Sequence, residues 1–350
     1  MTTEQDHAGS APATGSAAGR KIVNLALQGG GSHGAFTWGV LDRLLEESRL
    51  EFEGVTGTSA GAVNAVVFAD GLAAGGREGA KEALRVYWQK VSALSARGPW
   101  APSIIDKANP DYGLEHSLGF IFLEPMTHFA SPYQMNPLNI NPFEDLLAKA
   151  INFERVRQQT AVKLFLCATD VQTAKVKIFY GKEIDVPHLL ASTCLPLLMQ
   201  AVEGEFYWDG SYAGNPAIFP LIYNCDARDI LMVHITPAER PGVPTTSLSI
   251  MNRMQEISFN TALIREMRTI AFLNKQIEDG KLGAGKRMLV HLIEAEDLIR
   301  GFSWSSRLNS DWDFLLHLRE MGRMRADQWL AANFDRIGQD STVDLYEKYF

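Results

Sequence analysis

Short apolar runs, glycine-rich turns and amphipathic stretches follow one another along most of the chain. The apolar run at residues 22–27 ends in glycines, and apolar positions at residues 35–45 recur at helical spacing. This pattern predicts a buried strand that enters a tight loop and continues as a helix. A second short strand is predicted at residues 52–55. The alanine- and valine-rich run at residues 60–71 predicts a buried helix directly after it.

The alternation of strands and helices continues through the rest of the sequence. Strands are predicted at residues 162–168, 176–180, 206–208, 230–235 and 289–293, and helices at residues 77–95, 143–159, 257–273, 312–318 and 326–334. Strands that alternate with helices form mostly parallel sheets with helices on both faces. The expected fold class is therefore α/β with a mostly parallel central sheet.

Residues 97–142 depart from this pattern. Prolines interrupt an apolar and aromatic stretch that includes Phe120-Ile121-Phe122-Leu123. Proline removes a backbone donor and clashes with the preceding helical turn, so long helices are excluded here. Two interpretations stay open, namely a lid or acyl-chain wall over a binding site, and an irregular packed connection.

Composition and charge narrow the function classes. The 350 residues carry 33 basic and 41 acidic side chains, a formal net charge of −8, whereas nucleic-acid binding needs a basic surface. Nucleic acid is therefore not an expected partner. The three cysteines show no CxxC spacing, which predicts buried free thiols in a reducing compartment. Carboxylates and histidines show no ligand spacing, so neither a metal nor another cofactor is expected.

The sequence also predicts where the protein is found. Residues 1–20 are mainly alanine, glycine, serine and threonine, without the apolar core of a signal peptide, and are expected to form a disordered tail. No apolar run reaches the roughly 18 to 20 residues that span a bilayer. These features predict a cytoplasmic protein that contacts a membrane at most transiently and peripherally, through apolar residues such as Phe120, Ile121 and Phe122.

Two glycine-rich motifs lie close together and carry the candidate chemistry. They are Gly29-Gly30-Gly31-Ser32-His33-Gly34 and Gly57-Thr58-Ser59-Ala60-Gly61. The second motif places Ser59 between a predicted strand and a predicted helix, the setting of a nucleophile elbow. The first precedes a helix, where unpaired N–H groups can stabilise an oxyanion. Together they predict acyl transfer through a serine nucleophile.

A dinucleotide-binding enzyme is the competing interpretation of the glycine loop. Such an enzyme places an acidic residue at the end of its second strand. Glu51 and Glu53 instead precede the apolar residues of that strand, and the strand ends in the Ser59 motif. The acyl-transfer interpretation is therefore preferred.

Spacing alone leaves the base that activates Ser59 open. His234 or His291 could complete a triad with a carboxylate, but Ser59 follows only the second strand, which is unlike an α/β-hydrolase. The other candidate is Asp209 in the turn Trp208-Asp209-Gly210-Ser211. Burial would raise the pKa of this carboxyl toward that of a general base, and hydrogen bonds would oppose the shift.

The chain resembles the patatin-like phospholipases in four ordered motifs, over roughly residues 22–236. The motifs are the loop at residues 29–34, the elbow at residues 57–61, Ala191-Ser192-Thr193-Cys194-Leu195-Pro196, and Asp209-Gly210-Ser211 followed by Asn215-Pro216. The resemblance implies a three-layer α/β/α catalytic domain at residues 21–240 and a mainly helical extension at residues 241–350. It further implies a catalytic dyad of Ser59 and Asp209. The implied oxyanion hole comprises Gly29, Gly30, Gly31 and Ala60, supported by His33, Gly34, Gly57, Gly61 and Gly210.

The resemblance implies a serine hydrolase of lipid or other carboxylic esters that works through an acyl-enzyme in lipid catabolism. An acyltransferase, or a scaffold or binding module on the same fold, is the alternative. The C-terminal extension is expected to complete the core or to mediate homo-oligomerisation. Family loops carry Arg or Lys where this chain has His33. This difference predicts either charge support that depends on pH near the histidine pKa, or a residue that only orients the loop.

Overall fold

A mixed seven-stranded sheet forms the centre of the protein in the computed structural model, which describes residues 19–202, 206–283 and 285–350. The disordered tail predicted at residues 1–20 lies outside the described residues except for its last two positions. The strands are β1 Lys21–Leu27, β2 Leu50–Thr58, β3 Lys163–Asp170, β4 Val176–Tyr180, β5 Tyr207–Asp209, β6 Asp229–His234 and β7 Leu289–Glu294.

The strand order is β4-β3-β2-β1-β6-β7, with β5 paired to β3. Neighbours from β3 to β7 along this order are parallel, and both β4 and β5 run antiparallel to β3. The predicted mostly parallel sheet is therefore confirmed. All residues of β6 are buried, as expected for a strand covered on both faces.

Helices cover both faces of this sheet. They are α1 Gly34–Leu44, α2 Ala60–Ser95, α3 Ile104–Ala108, α4 Glu124–Met126, α5 Pro132–Met135, α6 Pro142–Ala150, α7 Phe153–Gln158, α8 Val186–Thr193, α9 Phe219–Asn224, α10 Ser247–Glu278, α11 Glu296–Ile299, α12 Trp312–Asn333 and α13 Leu345–Tyr349. One apolar core includes side chains of α1, α2 and α12, and a second includes those of α9, α10 and α13. The two cores give the expected three layers.

Two predicted helix boundaries are wrong. The helices predicted at residues 312–318 and 326–334 are one continuous element, α12, whereas the break predicted between residues 71 and 77 is present as a kink at Gly75 and Gly76 within α2. The helix predicted at residues 143–159 is instead divided into α6 and α7. Ile151 is extended, and the Asn152 side chain accepts the N–H of Arg155 at 3.0 Å, so a new helix begins there.

The C-terminal part of the chain contributes to the sheet and to both helical layers. The predicted strand at residues 289–293 is confirmed as β7, which pairs with β6. Helix α12 packs against α1 with a close approach of the two backbones. A Cβ atom on Gly39 would overlap the Arg319 carbonyl, and one on Gly322 would overlap the Phe36 carbonyl. Two small residues therefore set the depth of this crossing.

Residues 97–142 form only short helices and a π-helical turn at Gly119–Leu123, as the prolines require. Many large apolar side chains of this segment are exposed to solvent. The three cysteines are buried and free, as predicted. Among the described residues, no helix is long and apolar enough to cross a membrane.

Candidate active site

Ser59 lies at a sharp turn between β2 and α2. Its backbone has φ 55° and ψ −125°, a conformation that serine rarely adopts. The flanking glycines permit the close approach of neighbouring backbone. A Cβ atom on Gly57 would lie 2.5 Å from the Gly61 carbonyl oxygen, and one on Gly61 would overlap the Leu27 carbonyl. The turn thus presents the serine side chain at the end of a buried strand.

The backbone of this turn is held by Ser192 of α8. The N–H of Ser59 donates to Ser192 Oγ at 3.0 Å, and Ser192 Oγ donates to the Cys167 carbonyl at 2.7 Å. Sequence reasoning did not assign this role to Ser192. The only signal was its place in the Ala-Ser-x-x-x-Pro segment, because the contact joins residues 133 positions apart.

Asp209 ends β5, beside the strand that neighbours β2. Its backbone N–H donates to the Cys194 carbonyl at 2.8 Å, and its carbonyl accepts the Thr169 hydroxyl at 2.8 Å. Its Oδ1 accepts the N–H of Ser211 at 2.8 Å. A Cβ atom at Gly210 would overlap the Cys167 carbonyl, so the turn that follows requires glycine. Three hydrogen bonds and the glycine turn therefore fix the position of the Asp209 carboxyl.

The carboxyl of Asp209 is only 1% exposed. Burial raises its pKa above the ordinary 3.8, while hydrogen bonds from Ser59 and Ser211 act in the opposite direction. The other carboxyl oxygen, Oδ2, is buried and has no hydrogen bond of normal geometry among the described residues. A carboxylate with one free oxygen near a serine hydroxyl can accept that hydroxyl's proton.

The glycine loop at residues 29–34 packs directly against the nucleophile turn. A Cβ atom on Gly29 would lie 2.7 Å from Ser59 Cβ. The N–H of Gly29 donates to Asn215 Oδ1 at 2.7 Å, so this N–H is already occupied. The N–H groups of Gly30 and Gly31 have no hydrogen-bond partner within the described parts of the chain. The first N–H of α2, that of Ala60, has no carbonyl acceptor within the helix.

A buried glutamine, Gln28, fixes the start of this loop. Its Oε1 accepts the N–H groups of Ile235 and Thr236, each at 2.7 Å, and the Thr236 hydroxyl donates to the Gly29 carbonyl at 3.1 Å. The loop is thus tied to the end of β6. Nothing in the sequence pattern singled out Gln28, because its partners lie more than 200 positions away.

His33 is buried in the first turn after the loop. Burial lowers its pKa well below 6.5, and the positive charges of Arg307 and Arg240 lower it further. The expectation that His33 gives charge support near the ordinary histidine pKa is therefore wrong, because the imidazole stays neutral there. Its Nε2 lies 2.8 Å from Ser306 Oγ, which matches the alternative that it orients the loop.

A cavity of about 380 Å³ opens over Ser59, Asp209, Gly30 and Gly31. Its remaining walls come from the proline-rich segment, the Leu195–Leu198 turn, α10 and residues 304–308. They include Trp100, Glu124, Thr127, His128, Leu195, Leu197, Leu198, Tyr212, Met251, Met254, Phe259, Trp304, Arg307 and Leu308. The cavity is mainly apolar, with a few polar groups near Ser59, and can take an acyl chain.

The two histidines proposed as alternative bases lie elsewhere. His234 Nε2 is 3.3 Å from Asn260 Oδ1, and His291 Nε2 is 2.9 Å from Asp229 Oδ1. Neither is among the described residues that line the cavity of Ser59. His128, which the sequence pattern does not single out among the eight histidines, does line the cavity, and its Nε2 lies 3.1 Å from Glu124 Oε1.

One group of side chains has the donor types of a metal site. Ligand atoms of His234, Glu294 and Glu296 lie within 4.8 Å of one another, outside the Ser59 cavity. However, Lys348 Nζ lies 2.6 Å from Glu294 Oε1 and supplies a positive charge there. Burial alone would raise the pKa of Glu294, but the neighbouring His234 and Lys348 lower it to about 2. This cluster therefore already has its charge compensated.

Glu53, the acidic residue of the competing dinucleotide interpretation, has a different role. Its carboxylate accepts the N–H groups of Asp226 and Ala227 at 2.8 and 2.6 Å and pairs with Lys163 at 2.8 Å. These contacts occupy both carboxylate oxygens away from the glycine loop. Glu53 therefore serves a structural contact and does not lie at the glycine loop, where a ribose would bind.

Comparison with known proteins gives one family. A model of the patatin-like phospholipases matches residues 25–222. Similar solved structures include VipD from Legionella pneumophila, with 13% sequence identity, coverage of 93% of this chain and 72% of that chain, and a TM-score of 0.44. The type III effector ExoU is similar with 15% identity, coverage of 89% of this chain and 53% of that chain, and a TM-score of 0.35. The ExoU–SpcU complex of Pseudomonas aeruginosa is similar with 14% identity, coverage of 93% of this chain and 73% of that chain, and a TM-score of 0.32. No curated protein matches the chain.

Proposed function

This chain belongs to the patatin-like phospholipase family, whose members hydrolyse lipid acyl esters, and we propose that it does so with Ser59 as nucleophile and Asp209 as base. One observation carries the proposal. A serine in a strained turn, a buried carboxyl oxygen and two backbone N–H groups border the same cavity, and neither that oxygen nor those N–H groups have a hydrogen-bond partner among the described residues. An acyl-transfer reaction needs these three elements.

The reaction proceeds in two halves. Ser59 Oγ attacks the ester carbonyl while Asp209 takes its proton, and the tetrahedral intermediate expels the alcohol, which receives that proton from Asp209. The resulting acyl-enzyme is attacked by water, which gives its proton to Asp209. Collapse of the second intermediate releases the fatty acid and returns the proton to Ser59 Oγ.

The oxyanion formed in both halves is stabilised by backbone N–H groups. We assign this role to Gly30, Gly31 and Ala60. We leave Gly29 out because its N–H is bound to Asn215. Gly29 instead matters for packing, since any side chain there would meet Ser59. Loss of one oxyanion donor typically lowers the rate by about 10²- to 10³-fold.

The walls of the cavity suit a lipid substrate. The proline-rich segment supplies Trp100, Thr127 and His128 to the cavity and exposes apolar side chains to solvent, among them Phe122 and Phe129. Such a segment can contact a membrane surface while its other side borders the substrate, which fits a lid or acyl-chain wall.

The experiment that tests the proposal is acylation by p-nitrophenyl esters of increasing chain length. Ser59→Ala and Asp209→Asn are each expected to abolish the acylation burst and steady turnover, while both proteins remain folded by circular dichroism. In the wild type, kcat/KM should decline at low pH with a midpoint above 3.8, because the base must be ionised and burial raises its pKa.

Two controls separate the remaining alternatives. His128→Gln tests the histidine that borders the cavity, and a loss comparable to that of Asp209→Asn would transfer the role of base to His128. Analysis of products with added alcohol separates hydrolysis from acyl transfer. Turnover retained in Ser59→Ala would contradict the serine mechanism itself.

A further inference from the structure

Arg307 is a cation in the wall of the mainly apolar cavity. It is the only arginine or lysine among the described residues that line the cavity of Ser59. Its main chain lies against the oxyanion loop, because a Cβ atom on Gly31 would overlap the Arg307 carbonyl. Its side chain extends from there to Glu256 of α10, where Nη2 donates to Oε1 at 3.3 Å. The guanidinium is therefore held at a fixed place beside the cavity.

The carboxylate that holds Arg307 is shared with two other arginines. Glu256 is 2% exposed and also pairs with Arg240 at 2.8 Å and Arg253 at 3.2 Å. One carboxylate therefore faces three guanidinium groups, and the cluster keeps a positive excess. Arg240 and Arg253 line a second cavity that shares Asn252 and Trp304 with the first. Arg307 thus borders the substrate cavity itself, and the other two positive charges lie in the adjoining cavity.

Arg307 also has donors to offer. Nε and Nη1 have no hydrogen-bond partner among the described residues, yet they are not enclosed polar atoms, and the side chain is 11% exposed. Trp304 lies three residues earlier in the same 3-10 turn, where side chains at i and i+3 share a face. Its indole Nε1–H is buried without a partner in the described part of the chain. Two residues with unused donors therefore lie on one face of this turn.

The position of the Arg307 guanidinium favours a role in substrate binding over a role in oxyanion stabilisation. The side chain runs from the loop toward α10 rather than toward the dyad. Consistent with this direction, the positive charge of Arg307 lowers the pKa of His33, whereas burial, Ser59 and Ser211 account for the pKa of Asp209. An anionic group at Arg307 would therefore belong to a part of the substrate beyond the scissile ester.

We propose that Arg307, positioned by Glu256, binds the phosphate of a glycerophospholipid whose acyl ester lies at Ser59. The inference rests on the proposed function and adds to it the residue that selects for an anionic head group. Guanidinium binds phosphate through two parallel hydrogen bonds, which a neutral diacylglycerol cannot accept. The site therefore favours a lipid with phosphate over the same lipid without it.

The test measures fatty-acid release from dioleoyl phosphatidic acid and from dioleoylglycerol, each in the same neutral detergent micelles. The wild type should favour phosphatidic acid, and Arg307→Gln should lower that ratio about ten- to hundredfold, the effect of losing a charge-assisted hydrogen bond. Arg307→Lys should fall between them. Arg85→Gln, an exposed arginine outside the cavity, removes the same charge and should leave the ratio unchanged. A ratio that stays constant in Arg307→Gln overturns the inference.

A binding measurement keeps the inference testable without catalysis. Glycerol 3-phosphate is titrated into the Ser59→Ala protein by calorimetry, and Arg307→Gln should weaken its binding at least tenfold. Equal affinity for inorganic phosphate would assign a free anion and overturn the head-group assignment. No binding of either ligand would overturn the site. If the wild type hydrolyses neither lipid, or Ser59→Ala hydrolyses both, the proposed function fails, and the calorimetry still decides whether Arg307 binds phosphate.

Discussion

At the scale of single residues, the hydrogen bonds of Ser306 determine which ring nitrogen of His33 carries the proton. Ser306 Oγ lies 2.6 Å from the Ser303 carbonyl and donates its one proton there, so it accepts from His33 Nε2 at 2.8 Å. Nδ1 is then the unprotonated nitrogen, and it has no partner among the described residues. The neutral imidazole therefore fits a site where two arginines would repel a charge.

Replacement of His33 by Arg, the residue type of family loops, should destabilise this protein. The new guanidinium would be buried near Arg307 and Arg240 without a carboxylate of its own. An uncompensated buried charge costs roughly 3 kcal/mol or more. We expect the free energy of unfolding, measured in urea, to fall by about this amount in His33→Arg. His33→Gln, which can still donate to Ser306, should lose less than half as much, and equal stability of both variants would contradict this account.

Local motifs predict some residues of the candidate site and miss others. Ser59 is predicted from its turn, because a strand, a glycine turn and a helix are adjacent in sequence, whereas Asp209 is only one of several candidate bases until the family resemblance selects it. Gln28, Ser192 and Arg307 leave no such local signal, because their contacts are long-range. Arg307 reaches Glu256 across 51 positions, and Gln28 reaches Ile235 across 207. Side chains that act through distant backbone groups become visible only in the folded protein.

At the scale of elements, Glu266 of α10 fixes the loop that follows Asp209. Its Oε2 accepts the N–H groups of Ile218 and Phe219 at 2.8 and 2.9 Å, at the start of α9. Burial raises its pKa to about 7, although both hydrogen bonds act to lower it. The folded protein therefore carries an acid that titrates near neutral pH beside the segment that contains the candidate base.

This raised pKa makes stability depend on pH. The pKa of Glu266 is about 7 in the folded protein, compared with the ordinary value of 4.5 expected in the unfolded chain. This difference does not lower the free energy of unfolding below pH 4.5. It lowers that free energy as the pH rises through 7, because the unfolded chain releases the proton more readily. The decrease amounts to at most about 3 kcal/mol. Glu266→Gln should therefore lose less stability than the wild type between pH 5 and pH 8 in urea unfolding. Glu278→Gln, at the exposed end of the same helix, should behave like the wild type. Parallel pH profiles for all three proteins would exclude this role of Glu266.

The segment from Gly119 to Ala130 has two chemically different sides. Glu124, Thr127 and His128 border the cavity, whereas Phe122 and Phe129 are 62% and 91% exposed. Apolar side chains grouped at a cavity entrance are typical of an interaction surface. The sequence predicts short elements here from proline alone, but not which side of the segment meets the cavity, since that depends on how the folded segment lies beside the cavity.

Phe122→Ser and Phe129→Ser together should weaken binding to vesicles of phosphatidylcholine and phosphatidylglycerol, as measured by cosedimentation. Loss of two inserted rings removes apolar contact worth roughly 1.5 to 3 kcal/mol each at full burial, so a decrease of at least tenfold is expected. Turnover of a soluble p-nitrophenyl ester should change far less. Tyr223→Ser, an equally exposed ring on α9, serves as control. Vesicle binding that is unaffected in the double variant would remove this segment as the membrane contact.

At the scale of the whole molecule, the family match and the structural unit differ in extent. The match ends at residue 222, yet β7 pairs with β6, α12 covers α1, and residues 304–308 form part of the cavity wall. Asp42 of α1, which is buried, pairs with Arg319 of α12 at 2.7 Å. The periodicity of the last hundred residues predicted helices and a strand, but a pattern along one chain cannot show that they complete the same core.

The addition of one methyl group tests whether α1 and α12 must cross as closely as the structure shows. Alanine in place of a helical glycine normally stabilises a helix by about 1 kcal/mol. Gly322→Ala should do the opposite, because its Cβ would overlap the Phe36 carbonyl, and overpacking costs about 1 to 3 kcal/mol. Gly98→Ala, in the turn that follows α2, has its nearest neighbour at 3.5 Å and controls for the added methyl group without a steric overlap. A gain in melting temperature for Gly322→Ala would show that the two helices can separate without cost.

Removal of residues 241–350 tests whether residues 21–240 form a domain of their own. Without them β6 becomes an open sheet edge, the apolar face of α1 loses Phe314, Leu315 and Leu318, and Arg307 is absent from the cavity. Exposed edges and uncovered apolar faces promote aggregation. We expect the truncated protein to lack a cooperative thermal transition and Ser59-dependent ester hydrolysis. A soluble fragment that melts cooperatively and hydrolyses p-nitrophenyl esters would instead establish an independent catalytic domain, and the C-terminal residues would then be needed only for self-association or for head-group selection.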